Sequence, residues 1–514
     1  MKIFNAGQIK KWDAYSIQQE SITSIILMER AATACRNWID KKFSSLATGG
    51  DEGQKKSFVI VCGRGNNGGD GLAIARLLLQ LHYPITVYVI DSDKKGSPDF
   101  EKNLEHFQSL SSHVNIIKDA SLLPFIDKTT IVIDAIFGTG LNKPIDGLTE
   151  KLVQHINQSL ATVISIDIPS GMFADKSSLG IPVVKASYTL CFQAYKLCFL
   201  MAENESHFGE VHMLDIGLRK DFNETEPSDL IVSDRQMMKE IYQPRKKFSH
   251  KGNFGHALLV AGSFGKMGAA QLAAKACLKT GVGLLSISVP ASGNDILQAT
   301  VPEAMTVPGE LVPANIYACV GIGPGLNTTP DVVLLVSNVI NSIQQLTADR
   351  PVPANICKLV IDADALNILS TNKSLMNALP GQTILTPHPK EFERLFGKSP
   401  DDFNRVSLAL QHAAALNCFI ILKGHHSFIA TPTGEGYFNN TGNAGMAKGG
   451  SGDVLTGMLT SLASQGYSPL QTCLLGVYLH GLAGDLAAEK LSEEAMTASD
   501  IIGHIGQAFQ TLSR

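Results

Sequence analysis

Short runs of β-branched and aliphatic residues alternate along the chain with segments whose apolar positions recur every three or four residues. This alternation predicts βαβ units rather than an all-β or all-helical fold. It begins near Ser57, with FVIVC (58–62) as a strand and Gly71–Leu81 as a helix. ITVYVID (85–91) is the next strand, and a charged stretch of helical period follows it as far as His106. TIVIDAIF (130–137) and TVISIDIP (162–169) continue the series. Between about Leu218 and Lys251 the rhythm breaks into polar, charged chain, which reads as a linker with a boundary near residue 230. It resumes with HALLVAG, a small-residue helix over Gly268–Thr280, LLSISV, ACVGIGPG, KLVIDADALN and QTILTPHP. Two α/β domains are expected, over residues 1–225 and 235–514. Each would be a parallel sheet whose active residues lie beyond the carboxyl ends of the strands.

Composition narrows the classes of function. With 44% hydrophobic and 18% charged residues over 514 positions, the chain can bury large cores and is not disordered. A net charge of −4 leaves no electrostatic footprint for nucleic acid. The apolar runs are of strand length, so no membrane span is expected, and MKIFNAGQIKKWDAY lacks the apolar centre of a secretory signal. The 9 cysteines form no CxxC pair, and their odd number argues against a disulfide framework. The expectation is a soluble cytoplasmic protein, a homo-oligomer with small-molecule partners.

CGRGNNGGDG (62–71) sits between a predicted strand and a predicted helix, with Gly63, Gly65 and Gly68 at GxGxxG spacing. Glycines there let backbone N–H groups approach a phosphate at a helix start, and Asp91, ending the next strand, stands where a ribose would be held. Taken alone this is a nicotinamide dehydrogenase fingerprint. Asn66, Asn67 and Asp70 are excess to it: two amides and a carboxylate suit a hard cation or a sugar and ring hydroxyl. DAIFGTGLNKP (134–144) puts Asp134 ahead of a second glycine loop, and SIDIPSG (165–171) adds Asp167 and Ser170.

Taken in order, NNGGDG, DAIFGTGL and DIPSG resemble the NAD(P)HX epimerase family over about residues 1 to 220; NAD(P)HX is hydrated NAD(P)H. The resemblance implies a Rossmann-like, doubly wound domain. It implies substrate contacts from Asn66, Asn67, Gly68, Gly69, Asp70, Gly138, Thr139, Gly140, Leu141, Asn142, Lys143, Pro144 and Asp167. It also implies a potassium ion held by Asn67, Asp134 and Ser170. The substrate carries a hydroxyl on the carbon next to the ring nitrogen, so losing and regaining that oxygen inverts the centre. Asp167 is the candidate general acid and then base; the plainer reading makes it a capping carboxylate at a strand–helix turn.

NAGMAKGGSGDVLTG (443–457) clusters Gly449, Gly450 and Gly452 before Asp453 and an apolar helical run. N–H groups at that helix start form an anion site, and the adjacent carboxylate can take a hydroxyl proton during phosphoryl transfer. No GxxxxGK[ST] motif occurs, so this is not a P-loop enzyme. GSGD before a helix resembles the ribokinase-like fold. With KGNFGHALLVAGS, MGAAQLAAKA, GIGPG, IDADALN, TPHPKEFERL and KGHHSFI in order before it, the second half is similar to the ADP-dependent NAD(P)HX dehydratase family. That resemblance implies hydrate contacts from Ala270, Gly325, His388 and Asp453. It implies adenine nucleotide contacts, to ADP or ATP, from Lys423, Gly424, His425, His426, Ser427 and Gly452, with Mg2+ accompanying the nucleotide. His425 and His426 are read as facing opposite ways on an extended segment, which argues against zinc.

A dehydratase selective for one epimer needs an epimerase for the other, so the two resemblances support one function: repair of NADHX and NADPHX by phosphorylating the ring hydroxyl and eliminating phosphate. A dehydrogenase fused to a small-molecule kinase would explain both glycine loops but not the crowding at Asn66, Asn67 and Asp70. A non-catalytic interaction protein would explain neither carboxylate-bearing loop.

Overall fold

The computed structural model describes residues 1–44, 56–91, 95–111, 114–308, 314–348 and 358–513. The chain divides into two compact units. One is Lys2–Ser228 with residues 401–403; the other is Met1, Asp229–Pro400 and Asn404–Arg514.

In the N-terminal unit, helices α1 (Ala6–Glu20) and α2 (Ser24–Ser44) precede seven strands: β1 (Phe58–Cys62), β2 (Ile85–Ile90), β3 (Val114–Ile117), β4 (Ile131–Ala135), β5 (Thr162–Ile166), β6 (Tyr188–Phe192) and β7 (Glu210–Leu214). Their order is β3-β2-β1-β4-β5-β6-β7, and every pairing is parallel. Helices α3 (Asn66–Gln80), α4 (Pro98–Gln108) and α5 (Gly147–Gln158) supply crossovers. β1 is buried at all five positions because both faces are covered: Ile60 joins the core of Leu72, Val87 and Ile133, while Val61 joins Val132, Leu152 and Val163. Strand order reverses between β1 and β4, which opens a crevice at their carboxyl ends.

Two features depart from the sequence reading. The helix expected from Gly71 starts at Asn66, with extended Gly65 as its N-cap, so Asn66–Asp70 form helical turn rather than loop. Three glycines and two amides in a row mask helical period, but burial of the small residues against β1 and β4 overrides propensity. Strands β3, β6 and β7 are additional; β3 and β7 lie toward the sheet's edges, half-exposed, and carry no clean alternation.

The C-terminal unit holds a 10-stranded sheet: β8 (Leu230–Val232), β9 (His256–Val260), β10 (Leu284–Val289), β11 (Met305–Pro308), β12 (Cys319–Ile322), β13 (Lys358–Ile361), β14 (Ile384–Leu385), β15 (Phe419–Leu422), β16 (Phe428–Ala430) and β17 (Gly436–Phe438). The order is β11-β10-β9-β12-β13-β14-β15-β16-β17-β8, parallel except at β15–β16 and β16–β17. β8 lies in the stretch read as an irregular linker; three apolar residues amid polar chain are too few to show a period, and pairing with β17 orders them. The order reverses again between β9 and β12. Beneath it runs the Ser451–Ser464 helix, buried along nearly its whole length. Its Thr460 and Ser464 hydroxyls are satisfied by carbonyls one turn back, at 2.7 and 2.8 Å. A Cβ on Gly457 would fall onto the Ala273 carbonyl, so glycine is what lets the Met267–Thr280 helix approach so closely. No helix among the described residues is long and apolar enough to cross a membrane.

Candidate active sites

At the N-terminal crevice, backbone packs on backbone. A Cβ on Gly63 would fall onto the Ile136 carbonyl oxygen, and one on Gly68 onto the Gly63 carbonyl oxygen, so the β1 and β4 loops meet only because these positions lack side chains. Register sets Asp134 beside Val61 on one side and Ser165 on the other. The Asp134 carboxylate is fully buried. It accepts from the Ser165 hydroxyl (2.8 Å), the Ser170 N–H (2.8 Å), the Ser170 hydroxyl (2.5 Å) and the Ile136 N–H (3.3 Å). Burial raises its pKa, and these hydrogen bonds only partly offset the rise. A buried carboxylate held by neutral donors would be stabilised by a cation. Nearby on α3, the buried Asn67 amide nitrogen has no partner. Exchanging that amide's oxygen and nitrogen, which share one shape, puts an acceptor there. The donor set therefore suits a hard monovalent ion.

Asp167 follows β5 at φ +68°, a left-handed conformation uncommon for a residue with a Cβ. Its Oδ1 pairs with the Lys196 ammonium at 2.9 Å, and its Oδ2 accepts from the Thr139 N–H at 3.0 Å. Burial opposes its charge, yet Lys196 and Thr139 bring its carboxyl below the usual range. Lys196, 1% exposed, also donates to the Phe192 carbonyl (2.8 Å) and the Cys191 sulfur (3.2 Å). Two further carboxyls feel this pair. Asp13 of α1 is pushed up to about 7 by burial, with Asp167 adding to the rise and Lys196 opposing it. Asp70 of α3 is held well above its ordinary value by burial, then by Asp167, Asp13 and Asp99. One ionised carboxylate thus sits among neighbours that favour their protonated forms.

Neither Lys196 nor Asp13 stood out in the sequence. A lysine inside the apolar run of residues 188–201 was a usable signal; Asp13 on an amphipathic helix carried none. A Cβ on Gly138 would lie 2.9 Å from Asp167 Oδ2 and 3.3 Å from the Asn67 side-chain oxygen, which puts Asn67, Gly138, Thr139 and Asp167 around one space. Asn66 is exposed, and Gly68 and Gly69 are buried in α3. Gly140 to Pro144 continue the β4 loop, where the Asn142 carbonyl accepts from Lys176 (3.2 Å). Asp91 is engaged by the Arg64 guanidinium at 3.1 Å, which occupies the carboxylate assigned to a ribose.

In the C-terminal unit the Ser451–Ser464 helix opens on Gly450, at φ +97°, and Asp453 lies in its first turn. Burial and the nearby Asp362 charge push the Asp453 carboxyl up to about 6, with Lys423 opposing. Asp362, directly after β13, is 1% exposed; it accepts from Lys423 Nζ (2.8 Å) and from the Thr456 hydroxyl (2.7 Å). Burial works against its charge, but Lys423 and the hydroxyls hold its pKa down. A Cβ on Gly452 would stand 3.6 Å from Lys423 Nζ and 3.7 Å from Asp362 Oδ2, so the missing side chain leaves space above this ion pair. Asp362 and Thr456 were not singled out from the sequence, although IDADALN contains the first.

The remaining residues are scattered around this centre. Gly325, at φ +63°, accepts at its carbonyl from the Ser263 hydroxyl (2.7 Å). The Ala270 side chain is fully buried. His388 Nδ1 accepts from the N–H groups of Lys390 (3.1 Å) and Glu391 (3.2 Å), which makes it the cap of the Pro389–Phe396 helix. The Ser427 hydroxyl closes a turn onto the Gly424 carbonyl at 3.0 Å. His425 and His426 do not face opposite ways: their segment is this turn rather than a strand, and the rings meet edge to face at 4.5 Å. Burial drives His426 down to about 4. No cluster of three or more His, Cys, Asp or Glu side chains suited to a metal ion occurs among the described residues.

Residues 24–198 match the family described as YjeF-related protein N-terminus, and residues 257–507 the family described as NAD(P)H-hydrate dehydratase. The chain is 33% identical over 533 residues to a bifunctional NAD(P)H-hydrate repair enzyme of Moorella thermoacetica, covering 100% of this chain and 97% of that protein. A counterpart from Thermofilum pendens is 32% identical over 532 residues, with the same coverage of 100% and 97%. Among solved structures, the Bacillus subtilis ADP/ATP-dependent NAD(P)H-hydrate dehydratase co-crystallised with ATP/Mg2+ is 30% identical, at a TM-score of 0.48. It covers 55% of this chain and 98% of that one.

Proposed function

The chain belongs to the bifunctional NAD(P)H-hydrate repair enzymes, and we propose which of its residues carry each half of the repair. The enzyme interconverts the two epimers of hydrated NAD(P)H and dehydrates one of them with consumption of ADP or ATP.

For epimerisation, the work is divided among carboxyls rather than given to Asp167 in both roles. Asp167, kept ionised by Lys196 at 2.9 Å, is the base. Asp13 or Asp70, each held toward its protonated form, supplies the proton. Protonation lets the ring hydroxyl depart as water, with the adjacent nitrogen supplying the electron pair. Water then adds to the other face of the ring and gives its proton to a carboxylate. Asn67, Asp134 and Ser170 would hold potassium, which when bound supplies fixed positive charge to anchor the substrate's oxygens. Gly68, Gly69 and the Gly138–Pro144 loop line the substrate.

For dehydration, Asp453 takes the proton of the ring hydroxyl as that oxygen attacks the terminal phosphoryl group. The helix N–H groups at Gly450 to Gly452 stabilise charge on the transferring group. Phosphate then leaves with the pair of the breaking C–O bond, assisted by the ring nitrogen's lone pair, and the neighbouring carbon gives its proton to water so that the C–H pair forms the double bond that restores the dihydropyridine. Lys423, oriented by Asp362, lies beside Gly452 and presents positive charge toward the nucleotide's phosphates, where magnesium would neutralise further charge. Gly325, Ala270 and His388 border the hydrate, and Gly424 to Ser427 the nucleotide.

The observation that carries this reading is Asp453 at the start of a buried helix, its carboxyl pushed to about 6 and so mostly ionised yet basic at neutral pH. The test supplies each separated epimer with ADP or ATP. One epimer should disappear with equimolar nucleotide consumption, and the other only through it, at a rate that potassium raises and lithium does not. Consumption of both epimers by direct dehydration at equal rates would overturn it.

A further inference from the structure

Beside the epimerase crevice lies an ion pair with no part in the epimerisation steps. Arg64 stands two residues before α3, and Asp91 directly follows β2. The Arg64 guanidinium donates through Nη2 to Asp91 Oδ1 at 3.1 Å and through Nε to the Ile90 carbonyl at 3.4 Å. Its Nη1 has no partner among the described residues. Both side chains reach the surface, Arg64 at 25% and Asp91 at 41% exposure, so the bond between them is weak and readily opened. The backbone around them is tied down. The Arg64 carbonyl accepts from the Ser97 N–H, and the Asp91 N–H donates to the Ile117 carbonyl, each at 2.9 Å. A fixed frame thus carries a cation and an anion that can exchange partners.

We propose that this pair reads the 2′ position of the substrate's adenosine ribose and lets one site accept both NADHX and NADPHX. The proposal rests on placing the reacting ring at Asp167. Asp134 and Asp167 hold the chemistry to the carboxyl ends of β4 and β5. Arg64 and Asp91 stand at those of β1 and β2, across the point where strand order reverses. A dinucleotide laid across that point puts its two nucleosides on opposite sides. The nucleoside away from the reacting ring is adenosine, and its 2′ oxygen is the one place where the two hydrates differ. A 2′-hydroxyl can donate to Asp91 with the pair intact. A 2′-phosphate is repelled by that carboxylate, but it can draw Arg64 away and accept two N–H bonds from its planar fork.

The test uses the full chain without ADP or ATP, so that only exchange between separated epimers is measured. Arg64→Gln should lower kcat/KM for NADPHX about 10- to 100-fold, the loss of charge-assisted hydrogen bonds, and lower that for NADHX by less than about threefold. Arg64→Lys, which keeps the charge, should recover part of the NADPHX rate. Asp91→Ala should reverse the bias, with NADHX falling about 2- to 10-fold and NADPHX holding or rising. NADPHX exchange untouched by Arg64→Gln, or equal losses on the two hydrates in both variants, would overturn the proposal. Asp167→Asn checks the reading beneath it separately. It should silence exchange of both hydrates, and exchange surviving at the parent rate would remove the ring from Asp167 and the proposal with it.

Discussion

Replacing Lys196 by Met removes the cation bonded to Asp167 and leaves that carboxyl in place, 8% exposed. The mutant can keep Asp167 ionised and bear its desolvation, or let it take up a proton. The second route sets the ceiling. Protonating an ordinary carboxyl at pH 7 costs about 4 kcal/mol, from roughly three units above its unfolded pKa at 1.36 kcal/mol each. At pH 5 the same step costs about 1.5 kcal/mol. Stranding the Phe192 carbonyl adds about 1 kcal/mol at either pH. The sign follows from the direction of the shifts. In the parent, Asp167 is depressed below its ordinary value, so its contribution is present above the unfolded pKa and is lost as pH falls. In the mutant the folded carboxyl is raised, so stability drops as pH climbs. The gap between the two proteins should therefore be about 4–5 kcal/mol at pH 7 and shrink to about 2–3 kcal/mol at pH 5. Urea unfolding followed by tryptophan fluorescence reads it, because both tryptophans, Trp12 and Trp38, lie in the N-terminal unit. The double variant Lys196→Met/Asp167→Asn should recover most of the loss without recovering epimerisation. A gap that does not change with pH would refute the electrostatic account of this pair.

Three further outcomes are expected. The rate of dehydration should fall as pH drops through about 6, the Asp453 carboxyl's raised value, since a protonated base cannot accept the hydroxyl's proton; a profile flat from pH 5 to 8 would exclude that residue as the base. Gly68→Ala should abolish epimerisation while leaving dehydration intact, because its Cβ meets the Gly63 carbonyl, and separate assays on each epimer check this. Asp134→Ala should remove the potassium dependence of epimerisation, read by titrating the salt against the rate of epimer exchange, with dehydration again unaffected.

Much of the fold was legible because its strands are buried on both faces and read as continuous apolar runs, as FVIVC and HALLV do. The glycine-rich stretches also announced themselves, since close backbone approach leaves a mark in composition: Gly63 in its loop and Gly68 and Gly457 in their helices all stand where a Cβ would meet a carbonyl. What escaped was the pairing of residues distant in sequence. Asp167 could be picked out at a strand end, but its partner Lys196 is brought to it only by the β5–β6 crossover. Asp13 approaches the same centre from a helix that precedes the sheet altogether, and Asp362 acquires its meaning only when β13 and β15 present it to Lys423. The short strand β8 was illegible for a different reason: three residues cannot display a period.

The central claim is that two separate chemistries share this chain and that Asp453 is the base of one of them. Asp453→Asn tests it in the intact protein, since asparagine is nearly isosteric and remains a competent residue in a helix's first turn. Both epimers are followed chromatographically with ADP or ATP present. The account predicts dehydration lower by about 10²- to 10⁴-fold, the usual effect of losing a general base, while the epimers continue to interconvert at the parent rate. Dehydration near the parent rate, with nucleotide still required, would contradict it.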